Sequence, residues 1–155
     1  MIQPVKVRPA TAADLPTLRQ FEQGVIAAER PMDPTIKDGP IHYYNLEAML
    51  ANPDVHLLVA EEHGVLIGSG YARIDPADRL YLTYTRYAYL GFMYVDPAHR
   101  GKGINQLIIE TLRQWARSRG LTELRLEVYT INEPAIRAYE KAGLTPILLQ
   151  MRRSV

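Results

Sequence analysis

The stretch that most constrains the fold is DPAHRGKGINQL, residues 96–107. Two glycines, a proline and three basic or imidazole side chains there separate a β-forming run from an amphipathic one. Upstream, LYLTYTRYAYLGFMYV is dense in aromatic and other β-forming residues and reads as a strand over residues 86–95, stopped by Pro97. Downstream, Ile104, Leu107, Ile108, Leu112, Trp115 and Ala116 fall on one face at helical spacing, and Gly120 supplies the stop. A strand that re-enters as a helix through such a turn leaves the first N–H groups of the helix unpaired, where the dipole also favours negative charge. Gly101 and Gly103 carry no Cβ to hold a ligand off the main chain, and Arg100 and Lys102 add positive charge beside it. The turn has the chemistry to hold a pyrophosphate. The alternative is a tight strand-to-helix turn whose basic residues are only solvated.

The rest of the chain supplies elements of the same two kinds. VKVR, residues 5–8, alternates as a strand, and TAAD, residues 11–14, resembles a capping box opening a helix that carries Leu15, Leu18, Phe21, Val25 and Ile26 inward. Residues 29–40 hold three prolines and a glycine without periodicity, after which IHYYNLEAML recovers a helical pattern. VHLLVAE and VLIGSGYARI flank a turn at residues 62–64 and read as a hairpin, with Gly68 and Gly70 marking a bulge or a close approach. ELRLEVY, residues 123–129, alternates as a strand, Asn132 caps a helix that ends at Gly143, and TPILLQM, residues 145–151, reads as a last strand. No internal repeat or linker interrupts this order. The expectation is one α/β domain over residues 1–155 with a mixed, mostly antiparallel central sheet of six to seven strands and about four helices.

Bulk chemistry excludes several functions. Eighteen Lys+Arg against 17 Asp+Glu give a formal charge of +1, so no overall field draws the molecule to nucleic acid or an anionic membrane. The chain has no Cys, which removes disulfides, thiolate metal ligands and acyl-cysteine intermediates. No window approaches the roughly 20 apolar residues that span a bilayer, and MIQPVKVRPA lacks an apolar leader, so a soluble cytoplasmic protein is expected. The four histidines are scattered without ligand spacing, so no metal is expected, and His99 is expected to face solvent. A Walker loop cannot be laid on the glycine turn, and the dinucleotide fingerprint lacks its third glycine. In IGSGY, Ile67 occupies the first glycine position of a nucleophile elbow.

What YVDPAHRGKGI resembles is the acyl-CoA-binding signature of the GNAT N-acetyltransferases, a strand ending Val-x-Pro followed by Arg/Gln-x-x-Gly-x-Gly/Ala at a helix start. Val95, Pro97, Arg100 and Gly103 match, whereas Asn105 stands where the family has Gly or Ala. LEVYTINEPAIRAYEKAGL resembles the family's second segment, with Leu144 in place of the usual Phe, and is similar to that of the protein N-terminal (alanine) acetyltransferases. The resemblance covers residues 90–144 and implies acetyl-CoA as cosubstrate, with no metal. It implies that main-chain groups of Met93, Tyr94 and Val95 meet the pantetheine arm and that Arg100, Gly101, Lys102, Gly103, Ile104 and Asn105 hold the pyrophosphate. Asn132 matches a cofactor-contacting position, and is equally at home as a plain helix cap.

The same resemblance makes Tyr139 the acid that protonates the departing coenzyme A sulfur; the alternative is a core tyrosine. It makes Glu127 the base toward the acceptor amine, directly or through water; the alternative is a solvated carboxylate paired with Arg125. Glu29 and Asp33, in the region that shapes the family's acceptor site, offer carboxylates to a cationic amine; the alternative is a solvated irregular loop. Tyr84 and Tyr87 offer amphipathic surface or a substitute base; the alternative is sheet packing or a dimer contact. The function implied is direct transfer of acetyl from acetyl-CoA to a primary amine of a small molecule or peptide, in a protein that forms a homodimer. The competing reading is a non-catalytic acyl-CoA-binding sensor or interaction domain.

Overall fold

A computed structural model describes residues 4–155, so the expected domain over residues 1–155 lies within it except for its first three positions. The elements run β1 (Lys6–Pro9), α1 (Leu15–Glu29), α2 (Leu46–Ala51), β2 (Val55–Glu62), β3 (Val65–Pro76), β4 (Arg86–Val95), α3 (Ile104–Ser118), β5 (Leu124–Arg125) and α4 (Glu133–Lys141). The strands form one sheet in sequence order, antiparallel throughout except for the parallel β4–β5 pair. The capping box before α1 is formed, with Asp14 accepting the Thr11 N–H at 2.8 Å while its carboxylate also pairs with Arg8.

Strand alternation sorts the core into two layers. Leu58, Ala60, Ala72, Ala88 and Leu90 face α3, whose Ile104, Ile108, Ile109, Leu112 and Ala116 cover them. Leu57, Val59 and Tyr71 face the other way, under Leu18 and Phe21 of α1 and Leu46 of α2. Gly68 and Gly70 mark close approaches: a Cβ on Gly70 would lie 2.7 Å from Ile108 and 2.8 Å from the Met93 sulfur.

Within β4 the alternation changes phase. Ala88 and Leu90 belong to the α3 layer, yet so do Met93 and Val95, because Phe92 and Met93 together oppose the single residue Gly70. This is a β-bulge, and Phe92 takes a left-handed φ of 54° within it, turning its ring into the α1 layer. The buried Ser69 hydroxyl donates to the Phe92 carbonyl at 2.9 Å, satisfying an acceptor that the distorted ladder leaves unpaired. Gly91 is required for packing, since a Cβ there would fall 2.5 Å from the Tyr71 ring.

Two expected strands are corrected. Of residues 123–129 only Leu124 and Arg125 pair, opposite Ala88 and Tyr89, because β4 bends away at the bulge and gives residues 126–129 nothing to bond. Residues 145–151 form no strand, since the β5 edge they would extend is two residues long. The sheet therefore has five strands rather than six to seven.

Ser69→Ala removes the hydroxyl that serves the Phe92 carbonyl and should lower stability by about 1–3 kcal/mol. A urea titration reads this as a fall in the midpoint with the slope unchanged; an unchanged midpoint would mean that the bulge does not need this bond.

Candidate functional site

Because β4 and β5 part after Tyr89 and Arg125, one edge of the second half of β4 is unpaired. The Asp96 N–H donates to Ile67 O at 2.8 Å on the β3 side, so alternation turns the N–H and C=O of Val95, and of Met93 before it, toward the gap. The Val95 carbonyl there accepts Arg100 Nε at 3.1 Å, which holds the guanidinium beside the turn. Met93 and Val95 direct their side chains into the α3 layer, whereas Tyr94 stacks on Phe21 of α1 at 4.6 Å, so the main chain is what lines this edge.

The edge runs into the glycine turn. Gly101 and Gly103 adopt φ of 77° and 79°, a region open to glycine at little cost, and nothing lies within 4 Å of where a Cβ would stand on either. Gly103 is the residue preceding α3 and no side chain caps that end of the helix. Buried Ile104 anchors the first turn, while Lys102 is exposed and Asn105 half-buried. The turn is thus a concave, uncapped helix N-terminus flanked by Arg100 and Lys102, the donor set that an anionic phosphate group fits. His99 does not face freely into solvent: its Nε2 meets Glu62 at 3.1 Å and its Nδ1 meets Asp96 at 3.3 Å.

Across the gap stands α4. Asn132 caps it, accepting the Ala135 N–H at 3.4 Å through its carbonyl oxygen. Tyr139 packs against the α3 layer, and burial, with the Glu29 charge adding to it, pushes its phenol up to about 12. A hydroxyl so shifted stays protonated at neutral pH. Glu29 lies at the end of α1, the helix that packs on the other layer of the core.

On the α1 side, carboxylates and phenols act on one another. Glu127 is exposed, alternates away from Leu124 and Leu126, and adds to the upward shift that burial imposes on Tyr89. It does not pair with Arg125, which instead meets Glu123 at 3.8 Å, donates to the Tyr84 hydroxyl and lies over the rings of Tyr84 and Tyr87. Tyr84 and Tyr87 therefore already hold an internal cation. Asp33 is likewise engaged, by Arg152, Thr35 and the Tyr129 hydroxyl, and Arg152 chiefly holds its carboxyl far below the usual range. Glu29 is half-buried, raised first by burial and then by Asp33.

Two features were not anticipated. Glu22 is 1% exposed and accepts the N–H groups of Tyr43 and Tyr44 at 2.9 and 2.8 Å, fixing the segment before α2. A cavity of about 250 Å³ opens beneath that segment, among Tyr43, Tyr44, Met49, Val55, Tyr71 and Arg73. The helical phase Leu18, Glu22, Ile26 would have put Glu22 inside. Among the described residues no group of three or more His, Cys, Asp or Glu could hold a metal ion, and no helix is long and apolar enough to cross a membrane.

A family model described as the acetyltransferase (GNAT) family matches residues 24–144. Among curated proteins, the chain is 33% identical over 102 residues to the IAA acetyltransferase of Azospirillum brasilense, a match covering 66% of this chain and 61% of that one. It is 29% identical over 154 residues to the N-alpha-acetyltransferase RimI of Mycobacterium tuberculosis, covering 97% of this chain and 84% of the relative. The match thus spans less than two thirds of the Azospirillum protein's own length. Among solved structures, a predicted acetyltransferase from Clostridium acetobutylicum with acetyl-CoA superposes with a TM-score of 0.72 at 21% identity, covering 96% of each chain.

The position of Tyr139 is open to direct titration. Phenolate absorbance of the protein and of Tyr139→Phe should rise together through pH 10 and diverge only as the titration nears about 12. Divergence near the ordinary tyrosine value of about 10 would mean that Tyr139 is not shielded as its burial implies.

Proposed function

The chain belongs to the acetyltransferase (GNAT) family, and on that premise we propose that it moves an acetyl group from acetyl-CoA to a primary amine of a small molecule or peptide by direct transfer in a ternary complex. The observation that carries this reading is the unpaired edge of β4 running into the uncapped, glycine-lined N-terminus of α3. An extended amide-bearing arm ending in a pyrophosphate matches that sequence of donors: strand N–H and C=O groups first, helix N–H groups and Arg100 after them. The named activities of the relatives and the acetyl-CoA in the Clostridium structure support the same cosubstrate.

Bound acetyl-CoA supplies an activated thioester. The main chain of Met93, Tyr94 and Val95 orients the arm. Arg100, Gly101, Lys102, Gly103, Ile104 and Asn105 hold the phosphates, and Asn132 retains its carboxamide N–H groups for the ligand while its oxygen caps α4. Tyr139 holds at its hydroxyl oxygen the proton that the departing sulfur needs, and its raised pKa keeps that hydroxyl protonated at neutral pH. An acceptor arrives as an ammonium ion and must lose a proton before its nitrogen can attack. Glu127, exposed and unpaired by Arg125, takes that proton directly or through water.

Glu29 and Glu127 make the α1 side attractive to a cation, and neutral phenols shape it: Tyr44 and Tyr89 are both driven upward by burial. Asp33, already neutralised, contributes by holding the loop rather than by meeting the amine. Tyr84 and Tyr87, held by Arg125, bound that side next to β5. The family resemblance supports a homodimer and the absence of Cys fits a cytoplasmic address, which sedimentation and localisation would check.

The test is release of free thiol from acetyl-CoA across amino acids, peptides, polyamines and aminoglycosides, with acetyl-CoA binding followed by thermal shift. A selective acceptor is expected, and Tyr139→Phe should lower kcat about 100-fold while leaving the acetyl-CoA Kd unchanged. Binding without turnover on any amine, indifferent to loss of Tyr139, would favour a sensor domain; no binding would overturn the reading of the turn.

A further inference from the structure

Asp33, expected to meet the acceptor, is instead heavily bonded within the chain. It is 7% exposed, on the irregular segment that follows α1, and every partner comes from a different part of the chain or from its own turn. Arg152 donates to Oδ1 at 2.6 Å and to Oδ2 at 3.4 Å. The Tyr129 hydroxyl, beyond β5, donates to Oδ2 at 2.9 Å. Thr35 donates to Oδ1 from its hydroxyl at 2.6 Å and from its main chain at 2.9 Å, and its hydroxyl oxygen in turn accepts Arg152 at 3.0 Å. One carboxylate thus closes together the segment after α1, the chain after β5 and the C-terminal tail.

The tail has little else to hold it. After Leu144, which packs on the core, residues 145–151 have no regular structure, and Ile147, Leu148, Leu149 and Met151 are 64–84% exposed. Arg152 is itself more than half exposed, so it is an added clasp rather than a core member.

What the clasp lies against is Glu29. The Asp33 N–H donates to the Glu29 carbonyl at 3.2 Å, one helical turn on. Glu22, Ile26 and Glu29 share the inward face of α1; Glu22 is consumed by main-chain donors, whereas the Glu29 carboxylate has no hydrogen-bonding partner among the described residues. Neighbouring Arg30 gives its guanidinium to the carbonyls of Lys37 and Gly39. The titratable groups that feel Glu29 come from every surrounding element: Asp33 after α1, Tyr43 and Tyr44 before α2, Tyr129 after β5 and Tyr139 on α4. A half-buried carboxylate with no cation of its own, among phenols, is a receptor for one.

We infer that Arg152 is a positioning residue for acceptor recognition: by clasping Asp33 against Tyr129 it fixes the turn that presents Glu29 to the acceptor's ammonium group. This rests on the acetyltransferase reading above. The ion pair does two things at once. It holds the loop in place, and it neutralises a carboxylate that would otherwise compete with Glu29 for the incoming cation. Arginine suits the task because its planar fork meets both Asp33 oxygens and Thr35 together, which an ammonium group cannot.

The test compares the full chain with Arg152→Ala and Arg152→Lys, using acetyl-CoA and the best amine of the panel. Arg152→Ala should raise the acceptor KM about tenfold with kcat little changed, leave the acetyl-CoA Kd unchanged, and keep the melting temperature within a few degrees. The acidic limb of kcat/KM should move to higher pH. With Asp33 stripped of its counter-charge, the added negative field favours protonated Glu29, so a higher pH is needed to ionise it. Arg152→Lys should recover part of the acceptor KM and most of the pH shift, because it restores the charge without the fork. An acceptor KM and acidic limb that ignore Arg152→Ala in an active enzyme would overturn the clasp alone. A parallel fall in stability and acetyl-CoA affinity would also overturn it, by showing a merely structural residue. Wild-type protein that binds no acetyl-CoA would instead overturn the acetyltransferase reading on which the inference stands.

Discussion

Phe92 sits at a φ of 54° in the middle of β4, a conformation that a bulky side chain keeps only where its surroundings hold it. Three of those surroundings are visible: the Ser69 hydroxyl on its carbonyl, the Tyr44 ring stacked on its own at 4.6 Å, and the Tyr71 ring filling the space that Gly91 leaves. The extra residue turns β4 away from β5 after two paired positions, and the proposed account rests on the space this opens. The open strand edge and the approach of α4 with Tyr139 both depend on it.

Charge is distributed around that gap with the same logic. Toward α3 the chain offers donors: strand N–H groups, an uncapped helix end, Arg100 and Lys102. Toward α1 it offers Glu29 and Glu127 among phenols that burial keeps neutral. One side suits a polyanion and the other a cation, so a molecule with formal charge +1 needs no overall field to attract two oppositely charged ligands. The arginines that could blur this division are committed elsewhere: Arg125 to Tyr84 and Tyr87, Arg73 to Asp75, Arg152 to Asp33.

Features written in local chemistry were legible in the sequence. The glycine turn, the capping residues Asp14 and Asn132, the hairpin and the inward face of α3 each follow from neighbouring residues. The shortened β5 was not, because whether residues 126–129 pair is decided on another strand, at Gly91 and Phe92. A trace of the bulge is present in hindsight: tyrosines at 87 and 89 and then at 94 change parity across it. Among the carboxylates, the role of Asp33 was beyond local reading, whereas the phase of Leu18 and Ile26 places Glu22 inside. The partner of Asp33 lies 119 residues away, and the donors that satisfy Glu22 come from Tyr43 and Tyr44 folding back on it. Glu29 and Asp33 are alike in sequence and differ in the structure, one without a cation and the other with Arg152.

The central claim is that the parted edge of β4 and the start of α3 together hold the cosubstrate. Amide hydrogen exchange of the protein, alone and with saturating acetyl-CoA, tests it most directly. The account expects new protection concentrated in the amides of residues 92–95 and 103–106, with the paired amides of β2 and β3 unchanged. Protection that leaves both of those stretches exchanging freely, while the ligand demonstrably binds, would contradict it.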